Sequence, residues 1–221
     1  LDYFKQYLNK KTYLEVLDNW GSSLSLQEIE RHDSLLLPEN RLNIIYGGNM
    51  ADAQDLYSLL DDLDDTSLDN KAFLTLIGSG HQLDKIKSLI NSKNLKNVKL
   101  LDEVDQKTYL SILDKADIGL VSLNKNLKSN NFPLKMMGYI QLSKPILASV
   151  NKDNEIISII KENDIGLVSI SGDGVSFNKN LLQMIEDKEK IKIQGKNALE
   201  LFKNRFTVTI AVKKILKQFD N

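Results

Sequence analysis

From Arg41 onward the chain repeats one arrangement: a strand-length apolar run, a turn, then a helical window with one apolar face. The runs are Asn43–Tyr46, Phe73–Ile77, Val98–Leu101, Ile118–Leu123, Ile146–Val150 and Gly166–Ile170. Between them lie helical windows at Ala53–Leu63, Leu83–Ser92, Gln106–Lys115, Pro133–Leu142 and Asn154–Glu162. Strands that are apolar along their whole length need cover on both faces, and an intervening helix supplies the crossover that a parallel pair requires. The alternation therefore predicts a three-layer α/β/α domain with a mostly parallel sheet. After Gly172-Asp173-Gly174 the strands stop, and helical windows follow at Asn178–Glu186, Glu189–Phe202 and Thr207–Phe219.

Ahead of this region the pattern is weaker. Tyr3, Phe4, Tyr7 and Leu8 fall at helical spacing, Tyr13–Leu17 reads as a strand closed by Asn19-Trp20-Gly21, and Ser22–Asn40 is a polar connection with one short helix at Leu26–Arg31. The sequence opens on Leu1 within a helical pattern, which reads as a piece of a longer protein.

With 221 residues, 42% of them hydrophobic, the chain can bury a sizeable core. Its 29 basic and 30 acidic residues nearly cancel, which argues against a nucleic-acid partner. Cysteine is absent, so thiolate chemistry, disulfides and Cys-based metal sites are excluded. No apolar run reaches the ~20 residues of a membrane span and no signal peptide opens the sequence, so a cytoplasmic location is expected.

Open parallel sheets bind ligands beyond the carboxyl ends of their strands. Those ends are Gly47-Gly48-Asn49, Gly78-Ser79-Gly80, Asp102-Glu103-Val104, Asn124–Phe132 and Asn151–Asn154, with glycines at the first two. The segment Asn130–Val150 draws most attention. Pro133 suits the first turn of a helix, where its missing N–H is no loss, and the free amides of that turn attract anions. Lys135 stands just inside, between two strands, where a diphosphate would need a cation. Its bland reading is a snorkelling surface lysine.

Other motifs are weaker. Gly78-Ser79-Gly80 resembles the start of a dinucleotide fingerprint, but Leu83 stands where the third glycine belongs. No P-loop motif exists. Asp61-Asp62-Leu63-Asp64-Asp65 has Asp-x-Asp spacing but ends a helical window, as a solvated acidic turn would. His32 and His81 are too distant in sequence to read as a metal pair, and nothing reads as a Ser-His-Asp triad.

From Arg41 to about Phe219 the pieces fall in a family's order: Ile45-Tyr46-Gly47-Gly48-Asn49-Met50, Leu76-Ile77-Gly78-Ser79-Gly80, Ala116-Asp117-Ile118-Gly119 and Phe132-Pro133-Leu134-Lys135-Met136-Met137-Gly138-Tyr139. Lys144-Pro145-Ile146-Leu147-Ala148-Ser149, Gly166-Leu167-Val168 and Arg205-Phe206 continue it. Together they resemble the C-terminal, donor-binding domain of a family 4 bacterial glycosyltransferase. Asn-Phe-Pro-x-Lys-Met is most similar to the branch of N-acetyl-L-fucosamine transferases.

The resemblance implies one half of a GT-B fold, a Rossmann-like domain. It makes residues 1–40 the end of a missing N-terminal domain with the first strand and connection, and 41–221 a nucleotide-sugar-binding domain with C-terminal helices. It implies a retaining, metal-independent enzyme of O-antigen or capsule synthesis, with a UDP-sugar donor and no cofactor. The acceptor, lipid-linked or glycan, would be held by the missing domain, and the full-length protein would associate peripherally with the inner face of the membrane. Lys135 would be catalytic. Gly47, Gly48, Asn49, Gly78, Val104, Asn131, Phe132, Pro133, Leu134 and Met136 would hold the donor, with Glu155 a substitute ribose ligand. The family's paired glutamates fall here at Asn130 and Gly138, and its Arg and Lys after the first glycine loop are missing from Asn49–Asp55. Those departures favour the rival reading, a catalytically silent binding or scaffolding subunit.

Overall fold

A computed structural model describes residues 4, 6–8, 14–21, 37–128 and 132–219. Six strands form one sheet: β1 (Leu42–Gly47), β2 (Ala72–Ile77), β3 (Val98–Leu101), β4 (Ile118–Ser122), β5 (Ile146–Val150) and β6 (Gly166–Ile170). Their order is β3-β2-β1-β4-β5-β6, and every pairing is parallel. The expected three-layer α/β/α fold is therefore the fold observed.

Helices α1 (Leu56–Asp61), α2 (Leu83–Ser92), α3 (Gln106–Lys115), α4 (Lys135–Gln141) and α5 (Ile156–Glu162) connect successive strands. Helices α6 (Gly174–Glu186), α7 (Lys188–Arg205) and α8 (Val208–Leu216) follow the sheet. Side chains alternate across each strand and fill two cores. Ile44, Leu74, Leu76, Leu120 and Leu147 pack with α1, α2 and α6 on one face; Ile45, Ile77, Val121, Ile146 and Val150 pack with α4 and α5 on the other. Each such fully buried aliphatic side chain contributes about 1.5–3 kcal/mol.

Three expectations change. The window Ala53–Leu63 contracts to α1 because Asp55 adopts a left-handed φ of 45°, which cannot lie inside a helix. The helix expected from Pro133 begins at Lys135; Pro133 and Leu134 form the turn before it, their carbonyls accepting from Met136 and Met137. The strand expected to begin at Tyr13 does not form: residues 14–20 have no regular secondary structure. This segment lies along α7 and α8 instead, held by Arg205 on Asp18 at 2.8 Å and by Lys214, which bonds the Val16 carbonyl at 2.6 Å. Its apolar side chains Val16, Leu17 and Trp20 stay exposed, so a sheet edge gains nothing from them. Tyr13, the short helix at Leu26–Arg31, His32, Asn130 and Asn131 lie outside the described residues.

Candidate functional site

The strand order reverses between β1 and β4, which parts the flanking helices above the sheet's carboxyl ends. A cavity of about 450 Å³ opens there, lined by Gly47, Gly48 and Asn49 after β1, Ile77–Ser79 after β2, Glu103, Val104, Gln106 and Tyr109 after β3, and Lys135. Two larger depressions, of about 660 and 900 Å³, are open grooves along the outer helices without a buried ionisable group.

The floor is made by glycines. Gly48 donates its N–H to the Ile77 carbonyl at 2.9 Å, and Met50 donates to Ser79 at 2.7 Å, so the first two strand ends are stitched together. Gly78 has φ 148°, and a Cβ there would lie 2.0 Å from the Gly48 carbonyl oxygen. At Gly47 a Cβ would come within 2.2 Å of the Tyr109 ring. Both positions accept only glycine without rearrangement.

Tyrosines surround this floor. The Tyr139 hydroxyl accepts from the Gly47 N–H at 3.2 Å and donates to the Leu120 carbonyl at 3.3 Å. Tyr109 hydrogen-bonds to Tyr139, and burial pushes its phenol up to about 12. Tyr46 donates to the Asn49 carbonyl at 2.5 Å, and burial raises its pKa too. These phenols stay neutral and serve as scaffold.

Lys135, at the first position of α4, reaches over this scaffold. Its Nζ lies 3.5 Å from the centroid of the Tyr46 ring. The atom is buried and has no hydrogen-bond partner among the described residues. Desolvation lowers its pKa to about 7. A buried amine facing a glycine floor can receive an anion through a charge-assisted hydrogen bond.

Six residues singled out from sequence meet in this cavity: Lys135, Gly47, Gly48, Asn49, Gly78 and Val104. Five do not line it. Phe132 packs on Phe206 with centroids 5.6 Å apart, Pro133 and Met136 are buried, and Leu134 is exposed. Glu155 is exposed at the start of α5, where its charge acts on Arg205. The amides of Gly47, Gly48 and Met136 are also engaged within the protein, by Tyr139, Ile77 and Pro133. Ser79, Glu103, Gln106 and Tyr109 join the lining without having been singled out. The first two lay in strand-end triplets already noted, from which only Gly78 and Val104 were taken.

The acidic turn has other partners. Asp61 pairs with Lys93 at 2.7 Å, and Asp65 accepts from the amides of Lys96 and Asn97. His81 pairs with Asp52 at 3.1 Å. Among the described residues no helix is long and apolar enough to cross a membrane, and no three His, Asp or Glu side chains gather as a metal cage.

The family described as Glycosyl transferases group 1 matches residues 27–201. No curated protein matches the chain. Among solved structures it is similar to a variant of S. aureus TarM in complex with fondaparinux, alpha-GlcNAc-glycerol and UDP, with 17% identity and a TM-score of 0.71 over 100% of this chain and 42% of that one. Sucrose-phosphate synthase from Thermosynechococcus elongatus has 16% identity and a TM-score of 0.71, over 99% and 55%. HepE from Anabaena, in complex with UDP and glucose, has 16% identity and a TM-score of 0.67, over 82% and 48%. The chain thus spans about half the length of these three structures. At such identities the likeness is one of fold.

Proposed function

Because the chain belongs to the glycosyl transferases group 1 family, we propose that it is the donor-binding part of a glycosyltransferase that uses a UDP-sugar. The observation that carries this reading is the Lys135 amine, buried and without a partner in the cavity at the strand ends. The UDP named with two of the similar structures supports it. The diphosphate lies against Lys135 and the nucleoside over Val104. As the bond between the sugar and UDP breaks, negative charge grows on the departing phosphate, and a preplaced ammonium stabilises that state more than the ground state. One lysine then takes the part a divalent cation would have, and transfer proceeds with retention and without metal.

The acceptor, a lipid-linked or glycan hydroxyl, is held by the portion that the relatives have and this chain does not. Assembly of bacterial surface polysaccharide at the inner membrane face, in the manner of N-acetyl-L-fucosamine transferases, is the setting the sequence motifs favour. The 221-residue chain alone binds UDP weakly and transfers nothing. Titration calorimetry with UDP, GDP and ADP tests the reading; heats of dilution with every diphosphate would sink it.

A catalytically silent binding subunit is the second reading. Gly138 favours it: a Cβ there would meet Leu113 of α3 at 3.6 Å, so the position offers no polar group to a ligand. Turnover by the full-length protein with any donor removes this alternative.

A further inference from the structure

The cavity holds a second charged group that a phosphate-binding role leaves unused. Glu103 stands just past the carboxyl end of β3, and its carboxylate accepts from the Ser79 hydroxyl at 2.7 Å. Ser79 lies between Gly78 and Gly80 after β2, so the pair bridges two strand ends. That contact fills one of roughly four acceptor sites on a carboxylate. Both residues line the same cavity as Lys135, yet Glu103 does not neutralise it, since the Lys135 Nζ has no partner among the described residues. Lys135 lies over Tyr46 of β1, and Glu103 lies beyond β3, two places along the order β3-β2-β1. The Ser79 contact holds the carboxylate over the end of β2, one place from β1 in that order.

A ligand that satisfies both ends carries negative charge at one and uncharged hydrogen-bond donors at the other. We infer that Glu103, oriented by Ser79, receives the ribose hydroxyls of a nucleoside diphosphate and is the residue by which the cavity distinguishes ribonucleotides from deoxyribonucleotides. The inference rests on the nucleotide-binding reading above. A vicinal diol presents two O–H donors to the two carboxylate oxygens. The edge of uracil suits a carboxylate less, because its single N–H is flanked by two carbonyl oxygens. Guanine offers two adjacent donors and is the competitor to be separated. Ile77, Val104 and the Tyr109 ring supply an apolar shelf on which a base can lie.

The test titrates UDP, 2′-deoxy-UDP and GDP into the 221-residue chain and into Glu103→Ala. Glu103 is exposed, so the variant folds with an unchanged melt. The parent is expected to bind UDP about ten-fold more tightly than 2′-deoxy-UDP, and the variant to bind both at the weaker level. Ser79→Ala, which frees the carboxylate, shrinks the same ratio in part. A ribose preference that persists in Glu103→Ala overturns the inference. So does a variant in which only the UDP-to-GDP ratio moves, which would assign Glu103 to the base. Absence of binding by any diphosphate to the parent overturns the nucleotide reading as well, whereas binding with an unmoved ribose ratio overturns this inference alone.

Discussion

The Lys135 Nζ rests 3.5 Å from the centroid of the Tyr46 ring, with no hydrogen-bond acceptor among the described residues. The aromatic face offers an ammonium up to about 2 kcal/mol when water is excluded. That is less than the hydration a buried charge gives up, so the amine sits at the border of protonation, near 7.

Nucleotide binding should therefore be linked to a proton. In the free site the amine is charged below about pH 7 and neutral above it. A diphosphate against it favours the charged form and raises its pKa, so binding above about pH 7 takes up a proton. UDP affinity falls as pH rises from 7 towards 9, by up to about ten-fold per unit, until the pKa of the complex is reached. Calorimetry in two buffers of different ionisation enthalpy measures the uptake. Affinity that is flat across this range, with equal heats in both buffers, contradicts the linkage.

Lys135→Met separates function from stability. The folded-state pKa lies below the 10.5 of an ordinary lysine, so the unfolded chain binds the extra proton between the two values. Stability consequently rises with pH from about 7 to 10.5, and the penalty of the buried charge is complete below about 7. Methionine removes that penalty. The variant should be more stable than the parent by about 1–3 kcal/mol near neutral pH, with the gain vanishing in alkali. Its UDP affinity should drop about ten- to hundredfold. Urea denaturation at several pH values and a UDP titration read the two effects. Lys128→Met, at an exposed loop position, is expected to alter neither.

Gly47→Ala probes the contact with Tyr109. The new methyl would enter the ring's space, 2.2 Å from its nearest carbon, and the half-buried ring is tied in place by its hydrogen bond to Tyr139. A loss of about 1–3 kcal/mol is expected, as for overpacking elsewhere. Tyr109→Ala should be destabilising alone but remove most of the penalty of Gly47→Ala. The double variant would then be less damaged than the sum of the singles, by about 1 kcal/mol or more. Strictly additive losses in urea denaturation would place the ring elsewhere.

The fold was legible because buried parallel strands announce themselves as bounded apolar runs. Val98–Leu101, Ile146–Val150 and Gly166–Ile170 match their strands residue for residue. Boundaries set by backbone conformation were less visible: nothing in the Ala53–Leu63 composition reveals a left-handed Asp55. In the site, strand-end glycines and Lys135 follow from topology, since all strands of a parallel sheet end on one side. Tyr109 and Tyr139 do not. On an amphipathic helix a tyrosine reads as core, and its hydroxyl gains a role only where α3, α4 and β1 meet. Glu155 does not line the cavity, because adjacency to the loop after β5 says nothing of distance from a cavity over β1–β3.

The contact between Gly78 and Gly48 has a consequence for the heat of binding. Two backbones from separate strand ends touch where no side chain intervenes, and Gly48 N–H to Ile77 and Met50 N–H to Ser79 bonds fix them. The loops that face a ligand thus lose their conformational entropy when the chain folds and have little left to lose on association. Nucleotide binding should leave these amides with unchanged hydrogen-exchange protection, and the entropy change should come from displaced water and the ligand's own torsions.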